Sequence, residues 1–454
     1  MSTAPLPARI VPQPKLSVAA LALCIAAACD GTAGDDAPPP APPTVAETSS
    51  AAFQDWLAEL YDTIRAESLS PPVASRLIGY VGVAVYETLV PGMPSYRSLG
   101  RQLNDLSDLP AAPSGEVNWS LALNAAVADV ILGLLPAASL PTLTAVAARE
   151  NDIATSVGSG VSAGVVARSE GHGVAIAAAI VDWASRDGFS LWNNCTYVPP
   201  LDPGAWEPTP PAFANPLQPC WGNLRPFALL YAAECMPLSY PPFSLNAGSA
   251  FALEAQEVYE TVNNLTPEQL EIALFWADNP GQTGTPPGHW ISILRQVCAA
   301  ESFDLEISAE ALAKLGISLA DAFISCWEIK YSFNLLRPIT YIRDLAGPIQ
   351  DPAWNVAPGV VTPPFPEFTS GHSVQSGAAA LVLRDVLGDF TFVDDTHAGV
   401  RPARTFQSFD EAAQEAAISR IYGGIHFRSA CDNGVDQGRC IGAIVTRELQ
   451  FRAP

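Results

Sequence analysis

From Phe53 onward, apolar residues recur at three-and-four spacing in one segment after another, and runs of alternating β-branched residues are scarce. That period lets an α-helix gather its apolar side chains on one buried face. FQDWLAELYDTIRAES (53–68) and VASRLIGYVGVAVYETL (73–89) carry it, as do stretches near 118–135, 172–185, 248–262, 266–277, 289–300 and 308–335. Thr266-Pro267-Glu268-Gln269 has the composition of a capped helix start. The segment 187–245, rich in Pro, Trp and Asn, keeps no period and reads as a long irregular excursion. No internal repeat accompanies these segments. The expectation is an all-α fold, one large helical-bundle domain with long irregular loops over residues 52–454.

Ahead of that domain the chain changes character. Residues 1–29 read as an export signal: Arg9 and Lys15, then the apolar LSVAALALCIAAA, then small residues suited to cleavage. The apolar run is too short for a comfortable membrane span. Cys29 directly after it admits a lipid anchor as well as a free secreted form. Residues 30–51 are Pro/Ala-rich and read as a flexible linker. The protein is therefore expected outside the cytoplasm: periplasmic, extracellular or lipid-anchored at the cell envelope. Of nine cysteines, Cys195/Cys220 and Cys431/Cys440 stand in apparent loop context where bridges suit such a compartment. No cysteine has zinc-site spacing.

A net charge of −23 and a pI near 4.4 argue against nucleic acid or an anionic membrane as partner. Against that background, three basic clusters in the C-terminal third point to a local anion. Lys330 and Arg337 lie in KYSFNLLRP, seven residues or about two helical turns apart, with Pro338 expected to halt the helix at Arg337. Trp327 precedes them by one turn, and the intervening Tyr331, Phe333, Leu335 and Leu336 make an apolar neighbourhood where unpaired cations need an anion. Ser370-Gly371-His372 follows a Pro-rich loop and precedes an apolar helix. Ser370 is thus a candidate N-cap, Gly371 permits close backbone approach, and the helix N-terminus suits an anion. Arg420 and His426 flank Ile-Tyr-Gly-Gly-Ile, in which Gly423-Gly424 would turn the chain and bring His426 toward Arg420. An imidazole that binds a metal or phosphorus centre needs an acceptor on its other nitrogen. Asp432 and Asp436 are the nearby candidates.

The ordered set Lys-x6-Arg-Pro, Ser-Gly-His and Ser-Arg-x5-His resembles the vanadium-dependent haloperoxidases, within the superfamily they share with type 2 phosphatidic-acid phosphatases. ADNPGQTGTPPGHW, CWEIKYSFNLLRPITYIRD and IYGGIHFRSACDNG resemble the bacterial haloperoxidase branch. The resemblance implies vanadate as cofactor, with His426 on the metal. Lys330, Arg337, Arg420, Ser370 and the Gly371 amide would neutralise its oxygens, and His372 would move protons. Hydrogen peroxide, halide and a small organic acceptor would be the reactants. Trp327 and Phe365 fall where the family has halide-pocket aromatics, and an aromatic at 365 resembles the chloride-using members. The resemblance gives His289, in GHW, no role beyond structure.

Phosphate shares vanadate's shape and charge, so the same cradle also fits a soluble acid phosphatase. In that alternative His426 would form a phosphohistidine and His372 would protonate the leaving group. The lack of multiple long apolar spans argues against a membrane-embedded lipid phosphatase.

Overall fold

The helices form where the apolar spacing places them, and their ends are set by short polar side chains. A computed structural model describes residues 44–238 and 240–453. The export signal, Cys29 and residues 30–43 of the expected linker lie outside the described residues. In chain order the helices are α1 (Ala51–Ala66), α2 (Pro71–Leu89), α3 (Trp119–Leu134), α4 (Leu140–Gly158), α5 (Ala163–Ser185) and α6 (Phe189–Trp192). There follow α7 (Ala250–Asn263), α8 (Pro267–Phe275), α9 (Thr285–Ala300), α10 (Leu305–Phe333) and α11 (Pro338–Arg343). Last come α12 (Gly371–Leu387), α13 (Phe409–Tyr422) and α14 (Arg428–Glu448). The strands β1 (Phe392–Asp394) and β2 (Arg404–Phe406) pair antiparallel between α12 and α13. The chain is all-α apart from that ribbon, as its spacing predicts.

At α8 the expected start is a full capping box. The Gln269 amide donates to Thr266 Oγ1 at 3.2 Å, and the Thr266 amide donates to Gln269 Oε1 at 3.0 Å. Asn118, Ser162, Ser249, Asp304, Ser370 and Ser408 cap their helices with side-chain oxygens in the same way. Val45, inside the stretch read as linker, is fully buried in the main core cluster.

The 29-residue α10 runs through the middle of the core and is buried along nearly its whole length. It packs on α2, whose apolarity is core packing: 89% of its most hydropathic window is buried. Small residues set how close the helices come. A Cβ at Gly438 of α14 would lie 1.9 Å from the Val374 carbonyl oxygen of α12, and one at Gly377 of α12 would lie 2.4 Å from that of Val435. This crossing draws the start of α12 against α14.

Three expectations change. Lys330 and Arg337 do not share a helix. α10 ends at Phe333, Asn334 turns into the left-handed region (φ 51°, ψ 40°), and Arg337 is the extended N-cap residue of α11. Pro338 forces this, because the residue before a proline is driven out of the α region and proline suits the first helical position. Next, α4 and α14 appear where no period was read. The buried face of α14 runs through Ala430, Cys431, Gly434, Val435, Gly438, Ile441 and Val445, a three-and-four spacing in which small residues alternate with the larger apolar ones.

The third concerns the cysteines. Cys195–Cys220 forms as expected, but Cys440 bridges Cys235, and Cys431 is free and buried. Cys431 and Cys440 both lie in α14. Nine helical residues separate them by about 13.5 Å of rise and turn them to opposite faces, beyond the reach of a disulfide. Between residues 187 and 245 the chain is irregular as expected, with α6 and a short 3-10 turn at Trp221–Asn223. It is held against the helices by Cys235–Cys440 and by main-chain bonds: Trp206 N to Asn334 O at 2.7 Å, Leu336 N to Gly204 O at 3.0 Å, and Leu217 N to Pro364 O at 2.9 Å.

Non-reducing peptide mapping should return Cys195–Cys220 and Cys235–Cys440. Cys235→Ser with Cys440→Ser should lower stability to denaturant by ~2–4 kcal/mol, whereas Cys431→Ala should leave both bridges in place.

Candidate oxyanion site

Four helix ends converge on the loop 363–370. Lys330 comes from the last turn of α10, Arg337 opens α11, Ser370 caps α12, and Arg420 lies in the last turn of α13. His426 sits in the reversal between α13 and α14. Gly424 makes that reversal at φ 77°, with Val262 and Trp354 packed so close that a Cβ there would lie 2.9 Å from Val262 Cγ2. Trp327, Phe365, Gly371, His372, Arg420 and His426 line one cavity of about 180 Å³. Lys330, Arg337 and Ser370 are not among its lining residues: Lys330 and Arg337 reach the lining through Phe365, and Arg337 also through His426, while Ser370 adjoins Gly371 in the chain.

Lys330, Arg337 and Arg420 are all buried, and none has a carboxylate within ion-pair distance among the described residues. Main-chain carbonyls take their place. Lys330 Nζ donates to Pro366 O and Glu367 O, both at 2.9 Å. Arg337 Nε donates to Phe365 O at 2.9 Å and its Nη1 to Ile425 O at 2.8 Å. Arg420 Nη1 donates to Trp276 O at 2.8 Å. The Phe365 ring lies 5.0 Å from both the Lys330 ammonium and the Arg337 guanidinium, so cation–π attraction adds to the carbonyl bonds. Donors remain over: Arg337 Nη2 and Arg420 Nε are buried without a partner. Burial pulls Lys330 down to about 7 and both guanidiniums to about 10. Such a set suits an anion.

His426 supplies a directed lone pair. Arg337 Nη1 lies 3.1 Å from His426 Nε2, and a guanidinium only donates, so Nε2 accepts and the proton sits on Nδ1. Nδ1 is 2.8 Å from Glu367 Oε1, which also takes the Phe427 amide at 2.8 Å. Burial, with the cations beside it, holds His426 well below its usual range and therefore neutral. Burial pushes Glu367 up to about 8. Burial and the Arg420 charge likewise hold His372 low, and its Nε2 has no partner while lining the cavity.

Glu367, not Asp432 or Asp436, orients His426. Those two aspartates lie one turn apart on the exposed face of α14. A signal for Glu367 was present: it is the one acidic residue between Asp351 and Asp385. Ser370 is the N-cap expected, and its hydroxyl is engaged locally, accepting from the Ser373 amide at 3.3 Å and bonding the Ser373 hydroxyl at 2.9 Å. Trp327 packs on Phe365 with ring centroids 4.8 Å apart. Its Nε1 donates to Leu217 O at 3.2 Å, an oxygen that also takes the Tyr331 hydroxyl at 2.8 Å. Leu217, from the irregular excursion, is thereby fixed as a wall of the cavity.

The VCPO second helical-bundle domain matches residues 310–453. A vanadium chloroperoxidase of Curvularia inaequalis is 26% identical over 220 residues, a match that spans 36% of each chain. Among solved structures, the first bacterial vanadium-dependent iodoperoxidase is 36% identical and superposes with a TM-score of 0.80, covering 89% of this chain and 97% of its own. A holo-type bacterial vanadium-dependent chloroperoxidase, 16% identical, shares the fold with a TM-score of 0.63, over 84% of this chain and 93% of its own. These relatives do not favour the phosphatase alternative.

The buried ammonium makes anion binding pH-dependent, with a definite sign. An anion near Lys330 restores its proton, so the affinity this group contributes is full below pH 7 and is lost as pH rises above it. Sulfate, which does not titrate here, should bind more weakly at pH 8.5 than at pH 6.5 and take up a proton on binding. Lys330→Met should weaken sulfate binding at pH 6.5 by about 10–100-fold and diminish the proton uptake, both read by calorimetry in buffers of different ionisation heat.

Proposed function

This chain belongs to the vanadium haloperoxidase family, and from that premise we propose that it binds vanadate and uses hydrogen peroxide to oxidise halide to a hypohalous acid. One observation carries the reading: three buried cations, none with a carboxylate at ion-pair distance among the described residues, stand with a neutral imidazole whose unprotonated nitrogen accepts from Arg337, and that imidazole and Arg420 line one cavity. The site chemistry fits a four-oxygen anion. The partnerless N–H groups of Arg337 and Arg420 supply donors, and Lys330 supplies a further positive charge.

In this reading His426 Nε2 is the vanadium ligand, with Glu367 holding the proton on Nδ1 and fixing the ring. Lys330, Arg337, Arg420, Ser370 and the Gly371 amide would hold the anion by charge and hydrogen bonding. Bound vanadate supplies Lewis-acid activation of peroxide toward a nucleophilic halide, without redox change at the metal. The overall reaction takes up one proton as peroxide and halide give hypohalous acid and water. His372 is the group placed to carry it, because this imidazole lines the cavity and its Nε2 has no other partner, while the charge of a bound anion would raise the basicity that burial and Arg420 hold down. Trp327 and Phe365 line the cavity and would form the apolar side of the halide site, with a small organic acceptor as the final recipient of the halogen. Residues 1–29 read as a leader, and the two disulfides suit an oxidising compartment, which supports export, with Cys29 as the site of any lipid anchor.

Purified protein reconstituted with orthovanadate should oxidise iodide in the presence of peroxide, followed as triiodide, and inorganic phosphate should compete. His426→Ala should abolish the activity and weaken vanadate binding at least 100-fold. His372→Ala should keep vanadate binding within about tenfold while lowering kcat by 10²–10⁴-fold, roughly the usual contribution of a positioned acid–base group. Phosphomonoester hydrolysis without any peroxide-dependent halide oxidation would overturn the assignment.

A further inference from the structure

Behind the Arg420 and His372 side of the cavity lies a second ionic cluster that the oxyanion site does not absorb. His289, on α9, is fully buried, and each of its ring nitrogens meets a carboxylate. Nδ1 lies 2.9 Å from Asp278 Oδ2, and Nε2 lies 2.8 Å from Asp394 Oδ2, on β1. Both carboxylates are buried as well. A neutral imidazole carries one N–H, so two carboxylate acceptors are satisfied together by the doubly protonated ring. Asp278, His289 and His397 come near enough to suggest a metal site. His289 has no nitrogen left for an ion, however, and His397 Nε2 already meets Phe275 O at 2.8 Å.

The same ring stacks flat on Trp276, with centroids 4.4 Å apart and planes 15° from parallel. His289 therefore grips the segment 276–278 twice, by its face on Trp276 and by its edge on Asp278. This segment reaches the oxyanion site at two points. The Trp276 carbonyl accepts Arg420 Nη1, and the Trp276 main chain is close enough to His372 to influence its basicity. Asp278 lines the cavity, and its Oδ1 is buried without a hydrogen-bond partner. Asp278 is held at φ 46°, a conformation that a non-glycine residue keeps only when its surroundings fix it.

We propose that His289 is a positioning residue: an imidazolium fixed between Asp278 and Asp394 that, through Trp276 and Asp278, sets where Arg420 and His372 stand, so that oxyanion affinity depends on a side chain that does not line the cavity. The proposal rests on the oxyanion reading above and gives a residue without a catalytic contact a definite role in it.

The test is a double-variant cycle in the full-length protein. Dissociation constants for orthovanadate and for inorganic phosphate are measured by equilibrium dialysis for the wild type, His289→Gln, Arg420→Lys and the pair. If His289 acts through Arg420, His289→Gln weakens both anions at least tenfold, and adding it to Arg420→Lys costs no more than a further twofold. An additive loss, or a His289→Gln protein that binds within twofold of wild type, overturns the proposal. Circular dichroism checks that each variant is folded. If His289→Gln does not fold, Asp394→Asn, which leaves the Asp278 contact in place, enters the same cycle with the same criteria. A wild type that binds neither anion sinks the oxyanion assignment itself, an outcome distinct from failure of the coupling.

Discussion

Three positive side chains held in the interior with no carboxylate at ion-pair distance among the described residues are the constraint on which the rest of this structure depends. Each is fastened by main-chain carbonyls rather than by carboxylates, and those carbonyls come from the loop 365–367, from Ile425 and from Trp276. A carbonyl dipole offsets only part of the cost of removing a cation from water. The lowered basicity of Lys330, Arg337 and Arg420 is the residue of that cost. A protein that tolerates it must have ample stability elsewhere. The buried length of α10 and the close α12–α14 crossing are where this chain has it.

The arrangement also explains why helix ends, rather than helix faces, build the site. A helix end brings unsatisfied amides or carbonyls along with its side chain. Here the end of α10, the cap of α11, the cap of α12 and the end of α13 meet around one short loop. The long central helix and the small-residue crossing serve as framework. They hold four termini in register that are distant in sequence.

Much of this was legible in the chain, and the rest was hidden for identifiable reasons. Helical spacing marked most of the helices, and Ser370 and Gly424 occupy the cap and the reversal that their chemistry suggested. Lys330 and Arg337 are legible as a pair but not in their true relation, because the left-handed Asn334 lies inside an otherwise helical period and only Pro338 advertises the break. Glu367 was overlooked for nearer aspartates, since proximity in sequence is a poor guide once a helix turns residues 432 and 436 to solvent. The two acids on His289 lie 11 and 105 residues away from it, a separation that periodicity cannot bridge. Cys235 likewise finds its partner 205 residues on.

The Leu217 carbonyl, which receives both the Trp327 indole and the Tyr331 hydroxyl, belongs to a stretch with almost no regular structure. One flank of the cavity is thus drawn in loop backbone, while the cationic cluster is drawn in helix termini. The two parts of the chain can diverge at different rates: insertions or exchanges near position 217 would reshape what enters, with the charged machinery left standing. An old cage can in this way be refitted for new guests by editing its least ordered border.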